Sequence, residues 1–176
     1  ALAEAVIAGV RIDLNKFEIS SENRRILRKG EEIKSKENSI PYSEYTWSIG
    51  KLAKDFYDKK AGGAFSANKI KDLLTTNHNF NLLLSFSELG YAICYKNSSM
   101  IHYCYPFYDL EKSIKDMGLI MMTKTIAWAQ ENKLNYIYLG SLQRPSDIYK
   151  LQFSGIEWFD GEKWSEDLKR VKEILK

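Results

Sequence analysis

The chain has 176 residues, 44% hydrophobic and 28% charged, which is enough for one domain with a sizeable core and too little for two large domains. Aromatics make up 13%, with 11 Tyr and 4 Trp against only 3 Pro and 10 Gly, which excludes disordered, collagen-like and low-complexity classes. The formal charge of +3 is too small to announce nucleic-acid binding by itself, but the excess is uneven: residues 1–76 carry 14 basic and 11 acidic side chains, whereas 77–176 carry 12 of each.

In chain order, the apolar opening at 1–10 lacks a basic n-region and is not read as a signal peptide. Residues 6–14 predict an opening strand. Ser20 or Ser21 can cap a helix through 24–29, with Gly30 placed to stop it. Arg24, Arg25, Arg28, Lys29, Lys34 and Lys36 form a basic cluster against Glu31 and Glu32. Trp47, Leu52, Phe56 and Tyr57 recur at helical spacing until Gly62-Gly63, and 68–76 predicts another short helix. The runs 82–86, 91–96 and 100–108 are rich in aromatic and aliphatic residues and predict an antiparallel meander. After Gly118, Leu119, Met122, Ile126 and Ala129 share a helical face, and 136–139 is a short apolar strand closed by Gly140. Strand, helix and strand make a βαβ unit whose two strands should lie parallel. A short helix at 146–152, a hairpin or equally a short loop from 155–159 towards Trp164, and a C-terminal helix opened by Ser165 or Glu166 complete the expectation of a single domain over 1–176, mainly helical over 1–80 and sheet-rich over 81–176.

Two cysteines, Cys94 and Cys104, and two histidines, His78 and His102, make no CxxC pair and argue against a structural zinc or iron–sulfur site. Low cysteine usage fits a reducing, cytoplasmic compartment. The best apolar stretch, 119–129, is broken by Lys124 and falls short of the roughly 18 residues of a membrane span, so no membrane partner is expected. Pro106, in the longest strand run, has no N–H to donate, so the ladder should fail locally and the strand should bulge or splay from its parallel neighbour there, unless it is an edge strand that tolerates the proline. An opened sheet beside a βαβ crossover is where α/β proteins place ligands.

Helices followed by a meander, a crossover helix, a short strand and a closing hairpin resemble the GNAT acyltransferase fold. Particular segments resemble the C-terminal catalytic region of the arginyl-tRNA–protein transferases and their bacterial leucyl-transferring relatives. These are Ser21-Glu22-Asn23-Arg24-Arg25, Tyr105-Pro106-Phe107-Tyr108-Asp109, residues 119–129, Tyr136-Ile137-Tyr138-Leu139-Gly140 and Tyr149-Lys150-Leu151-Gln152-Phe153, then Glu157 and Trp164. The resemblance covers most of 84–164 and the first eighty residues only loosely. It implies a mixed α/β sheet and transfer of an amino acid from charged tRNA to an amine acceptor such as a protein N-terminus, with the charged tRNA as donor co-substrate and no further cofactor. The cysteine-rich element of that family has no counterpart here, Leu110 follows Asp109 where the family has Pro, and 140–148 differs from the family's stretch.

Such a transfer needs a neutral amine aligned on an ester carbonyl, an N–H donor for the oxyanion and a hydroxyl for the leaving group. Asp109, Tyr108, Tyr138 and Tyr149 are the catalytic candidates, with Asp109 as base or ammonium anchor. Arg24, Arg25, Arg28, Arg144, Lys150 and Glu157 are the substrate-binding candidates. Two alternatives remain: an acyl-CoA-dependent N-acyltransferase using acetyl-CoA, and a non-catalytic GNAT-like binding module. The loop 111–118 carries one glycine and two acids, a poor pyrophosphate cradle, which weighs against acetyl-CoA.

Overall fold

The computed structural model describes residues 8–63 and 65–176. The apolar opening therefore lies mostly outside the described residues, and the expected first strand is seen from Ala8 onward. The elements are β1 (Ala8–Asp13), α1 (Ser21–Lys29), β2 (Ser35–Ser39), α2 (Trp47–Ala61), α3 (Ala67–Thr75), β3 (Leu82–Phe86), β4 (Gly90–Lys96) and β5 (Met100–Tyr108). They continue as α4 (Met117–Glu131), β6 (Tyr136–Leu142), a 3-10 helix (Pro145–Gln152), β7 (Ile156–Phe159), β8 (Trp164–Ser165) and α5 (Leu168–Ile174). Among the described residues the strands form one mixed sheet in the order β2-β3-β4-β5-β6-β1-β7-β8. No described helix is long and apolar enough to cross a membrane.

Local chemistry explains most helix boundaries. Ser20 Oγ accepts from Asn23 N, and Asn23 Oδ1 accepts from Ser20 N, a reciprocal cap that starts α1. Gly30 ends that helix, but not through a left-handed turn: its φ is −98°, and a Cβ there would collide with Ile120. The glycine is needed because α1 crosses α4 closely at this point. Gly62, by contrast, sits at φ +65° and closes α2 as a left-handed cap. The C-terminal helix is capped by Asp167, whose carboxylate accepts from Arg170 N, one or two residues later than Ser165 or Glu166 would place it.

The sheet carries a core on each face. Beneath α1 and α4, Ile26, Ile120, Met121 and Ile126 pack on Val10, Ile12, Ile101, Ile137 and Trp158. Beneath α2 and α3, Ile49, Ala53, Ile70 and Leu74 pack on Leu83, Ile93 and Phe107, the last fully buried with its ring stacked on Tyr91. Burying each such aliphatic or aromatic side chain contributes about 1.5–3 kcal/mol. β2, a polar segment not expected from sequence, is an edge strand whose residues are largely exposed, so no alternation marked it.

Two strands deviate from regular pairing. Between β4 and β5 the register steps from Ile93↔Tyr105 to Cys94↔Tyr103, so Cys104 is the extra residue of a bulge. The bulge turns the strand over: Ile101 and Tyr103 join the first core, whereas Phe107 joins the second. In β6 an extra residue arises where β1 steps from Gly9 to Arg11 against Ser141 and Tyr138. Gly140 lies there at φ +84°, so it supplies a bulge within the strand instead of closing it, and β6 continues to Leu142.

Candidate functional site

β5 and β6 run parallel and side by side, joined by the crossover helix α4, as a βαβ unit requires. Their ladder is short. Met100, Ile101 and His102 pair with Tyr136, Ile137 and Tyr138, and beyond these residues the strands separate. β5 stays paired to β4 as far as Tyr108, and β6 stays paired to β1 as far as Leu142. The facing edges of 103–108 and 139–142 therefore lack ladder partners, and a wedge opens between them. Pro106 was expected to start this separation, but it begins at Tyr103, three residues earlier. The Cys104 bulge is the nearer cause, because a bulge bends and over-twists its strand. Pro106 lies further along, its carbonyl accepting a 2.7 Å hydrogen bond from Tyr57 of α2.

The 3-10 helix stands over the β6 side of the wedge. Its fold rests on Asp147, nearly buried, whose Oδ2 accepts from Gln143 N and Arg144 N, both at 2.9 Å. Burial opposes the Asp147 charge, but those two N–H donors with Lys150 and Arg144 bring its pKa below the usual carboxylate range. The Arg144 guanidinium lies outside, 3.4 Å from Asp147. Lys150 Nζ donates to Ser141 O at 2.9 Å beside Gly140, and burial lowers its pKa. Tyr149 is partly exposed by surface area, yet its hydroxyl end is desolvated enough to raise its pKa, with Asp147 and Tyr108 adding to the effect.

On the β5 side, Tyr108 lies between two helices: its ring centroid is 4.8 Å from Phe56 of α2, and Gly118 of α4 leaves room for it. Tyr108 and Asp109 also line an open cleft of about 1260 Å³ on the α2 side, bounded by Lys51, Asp55, Tyr42 and Glu88. Asp109 is a turn residue. Its Oδ1 accepts from Glu111 N at 2.9 Å and Lys112 N at 3.0 Å, and these bonds hold its pKa below the ordinary value. A carboxylate so engaged is a weak base.

The basic cluster does not act as one patch. Arg24 donates to Ile19 O, Arg25 pairs with Glu22, and Lys29 pairs with Asp116 at 2.7 Å. The last contact puts the end of α1 beside the start of α4. Arg28 is exposed on α1, and Lys36 lies 3.9 Å from Glu44 near the cleft. Asp116 occupies the N-cap position of α4 at φ +67°, where its carboxylate would oppose a pyrophosphate.

Tyr138 and Glu157 stand apart from the wedge side chains and meet around Arg11. Arg11 Nε donates to Glu157 Oε2 at 2.7 Å, and Nη1 donates to the Tyr138 hydroxyl at 3.4 Å. The guanidinium carbon lies 4.0 Å from the Tyr136 ring centre and 4.1 Å from that of Trp164. Sequence reasoning missed Arg11, which reads as an ordinary outward residue of a strand. It also missed Tyr103, fully enclosed at the start of the wedge, whose hydroxyl has no partner among the described residues. Among the described residues no group of three His, Cys, Asp or Glu side chains converges on a metal position.

No protein-family model and no curated protein sequence matches the chain. Solved structures do. L-PGS from Bacillus licheniformis superposes with a TM-score of 0.57 at 12% identity, over 96% of this chain and 63% of that one. The C-terminal domain (DUF2156) of a putative lysylphosphatidylglycerol synthetase from Agrobacterium fabrum gives 0.53 at 12% identity, over 84% of this chain and 50% of that one. A GCN5-related glucosamine N-acetyltransferase region of a fungal multi-domain GH3 beta-N-acetylglucosaminidase gives 0.55 at 7% identity, over 87% and 20%. The chain thus spans less than two thirds of each of these proteins. With the mixed sheet, the βαβ crossover and the parted parallel strands, these likenesses establish a GNAT-like α/β fold.

Proposed function

We propose that the chain is an aminoacyltransferase that takes an amino acid, as its ester, from charged tRNA and passes it to an amine acceptor such as a protein N-terminus, at the wedge between β5 and β6. The observation that carries this reading is the wedge itself: two parallel neighbours paired over three residues and then parted, with unpaired backbone edges at 103–108 and 139–142. Unpaired N–H groups on a strand edge can hold an ester carbonyl and the oxyanion that forms from it. The neutral acceptor nitrogen attacks that carbonyl, the C–N bond forms, the C–O bond to the ribose breaks, and the proton shed by the amine ends on the ribose oxygen. Lys150, whose Nζ bonds Ser141 O at the β6 edge and whose pKa burial lowers, passes that proton in this reading. Tyr108 and Tyr149, with pKa values raised by burial, stay protonated and donate. The acceptor enters by the α2-side cleft, whose lining carries both signs of charge and suits a peptide end.

An amine suits this site because an α-amine with a pKa of about 7.7–8.0 is partly neutral at pH 7 and needs little base help, while Asp109 is held as a turn. Two other readings have a specific observation behind them. The name of the Agrobacterium neighbour points to a lipid headgroup as acceptor. The fungal N-acetyltransferase region points to acetyl-CoA as donor, against which stands the Asp116 carboxylate at the start of α4. The test is incubation with a panel of charged tRNAs, offering N-terminal peptides or phosphatidylglycerol vesicles, and an acetyl-CoA arm. A peptide mass shift of one amino-acid residue is the expected result. Modification of the lipid alone would replace the acceptor, and acetyl transfer alone would replace the donor.

A further inference from the structure

Tyr103 is 2% exposed and its hydroxyl oxygen, fully enclosed, has no hydrogen-bond partner among the described residues. A polar atom in that position costs free energy unless something satisfies it, and a plain phenylalanine would fill the same space without the cost. Its place is specific. Tyr103 is the first β5 residue beyond the short ladder with β6, immediately before the Cys104 bulge. Burial first, then the neighbouring Cys94, Tyr149, Tyr57 and Tyr108, raise its pKa well above that of an ordinary phenol, so the group stays neutral. The residue thus stands at the root of the wedge, on the strand whose next unpaired stretch carries Pro106, the residue that Tyr57 of α2 bonds.

We propose that the Tyr103 hydroxyl receives the transferred group itself, its oxygen accepting a hydrogen bond from the α-ammonium of an aminoacyl ester seated in the wedge, and that it thereby selects an aminoacyl group with a free α-amine over an acetyl group or an N-blocked one. The proposal rests on the aminoacyl-transfer reading above. An acetyl group has no donor for this oxygen, whereas an α-ammonium has three. The hydrogen bond would be charge-assisted, and in an enclosed site it is worth about tenfold or more in affinity.

The experiment compares Tyr103→Phe with the unchanged chain in binding three forms of each tRNA of a panel: aminoacylated, N-acetyl-aminoacylated and deacylated. N-acetylation removes the ammonium while keeping the ester. The unchanged chain should bind the aminoacyl form about tenfold more tightly than the N-acetyl form. Tyr103→Phe should bring those two to equality and leave the deacylated form unchanged. Its melting temperature should stay level or rise, since only an unpartnered oxygen is lost. A Phe variant that discriminates as well as the unchanged chain overturns the proposal while leaving the function intact. So does an unchanged chain that prefers both esters equally over deacylated tRNA. If no charged form is preferred to deacylated tRNA, the functional reading falls and this proposal with it.

Discussion

The two halves of the sheet are covered by different means. β3, β4 and β5 are sandwiched, with the α1–α4 core on one face and the α2–α3 core on the other. β6, β1 and β7 share the first core, but on their other face the side chains cover themselves together with Trp164 of β8: Arg11 lies between Tyr136 and Trp164, tied to Glu157 and touching Tyr138. A helix layer holds its strands through many apolar contacts, whereas a single stacked cation ties together only the strands that contribute to it. The wedge opens where the two kinds of cover meet, between β5 and β6. The Cys104 bulge therefore opens the gap at a seam that is already weak, because each strand is held firmly on its far side and weakly towards the other.

The largest test of that contrast is Arg11→Ala. The side chains of Arg11 and Glu157 are 15% and 12% exposed, so the substitution strips two aromatic faces of their cation and leaves an enclosed carboxylate unpaired. A loss of about 3 kcal/mol is expected, or roughly 6–12 °C in melting temperature for a chain of this size. Arg11→Lys should recover only part of it, because an ammonium cannot stack flat or bond through a planar fork. A loss within about 0.5 kcal/mol, the range of an ordinary surface change, would show that the outer half does not depend on the stack.

These particulars also mark how far the sequence could be read. The meander, the βαβ unit and the caps at Ser20 and Gly62 follow from alternation and capping chemistry, which are local. What was hidden depends on distant partners. Arg11 sits in Ala-Gly-Val-Arg-Ile-Asp, and nothing near it announces Glu157 or Trp164, far along the chain. The bulge at Cys104 turns over the alternation of β5 midway, so Tyr103 and Phe107, four apart and expected on one face, lie on opposite ones. The wedge was anticipated, but Pro106 was given a cause that belongs to the bulge. Of the expected site residues, Tyr108, Tyr149 and Lys150 gather at the wedge, Tyr138 and Glu157 meet at the Arg11 stack, and Arg24, Arg25 and Arg28 lie on the outer face of α1.

A second, smaller test concerns the 3-10 helix on the weakly held side. Asp147→Ala removes the acceptor of two backbone N–H groups in a nearly buried position and should cost about 2 kcal/mol. The folded Asp147 pKa is depressed, so its contribution is fully present above the unfolded value of about 3.9 and is lost as pH falls through the lower folded value. Acid titration followed by near-ultraviolet circular dichroism should therefore show the unchanged chain losing more stability below about pH 4 than the Ala variant does. Parallel stability curves for the two would show that Asp147 carries no such proton linkage.

The smallest expected effect separates the turn role of Asp109 from a role in chemistry. Asparagine at this position keeps an oxygen that can accept from Glu111 N and Lys112 N, and it has nearly the same size, so Asp109→Asn should change stability at neutral pH by about 0.5 kcal/mol or less. Because the carboxylate pKa is depressed chiefly by those backbone donors, the charge contributes at neutral pH and its share disappears as the medium is acidified through the folded pKa. The two proteins should therefore converge in stability at low pH. Transfer activity should follow the turn: if Asp109 only shapes the passage from β5 to α4, the Asn variant retains turnover within about threefold, whereas loss of general base help would cost about 10²–10⁴-fold. Asp109→Ala sharpens the reading, since it removes the acceptor as well as the charge and leaves two N–H groups to solvent. Activity kept in Asn and reduced in Ala, together with a lower melting temperature in Ala, identifies a turn. A large loss of turnover in Asn with an unchanged melting temperature returns Asp109 to the chemistry and shows that its two backbone bonds yield when the acceptor enters the cleft.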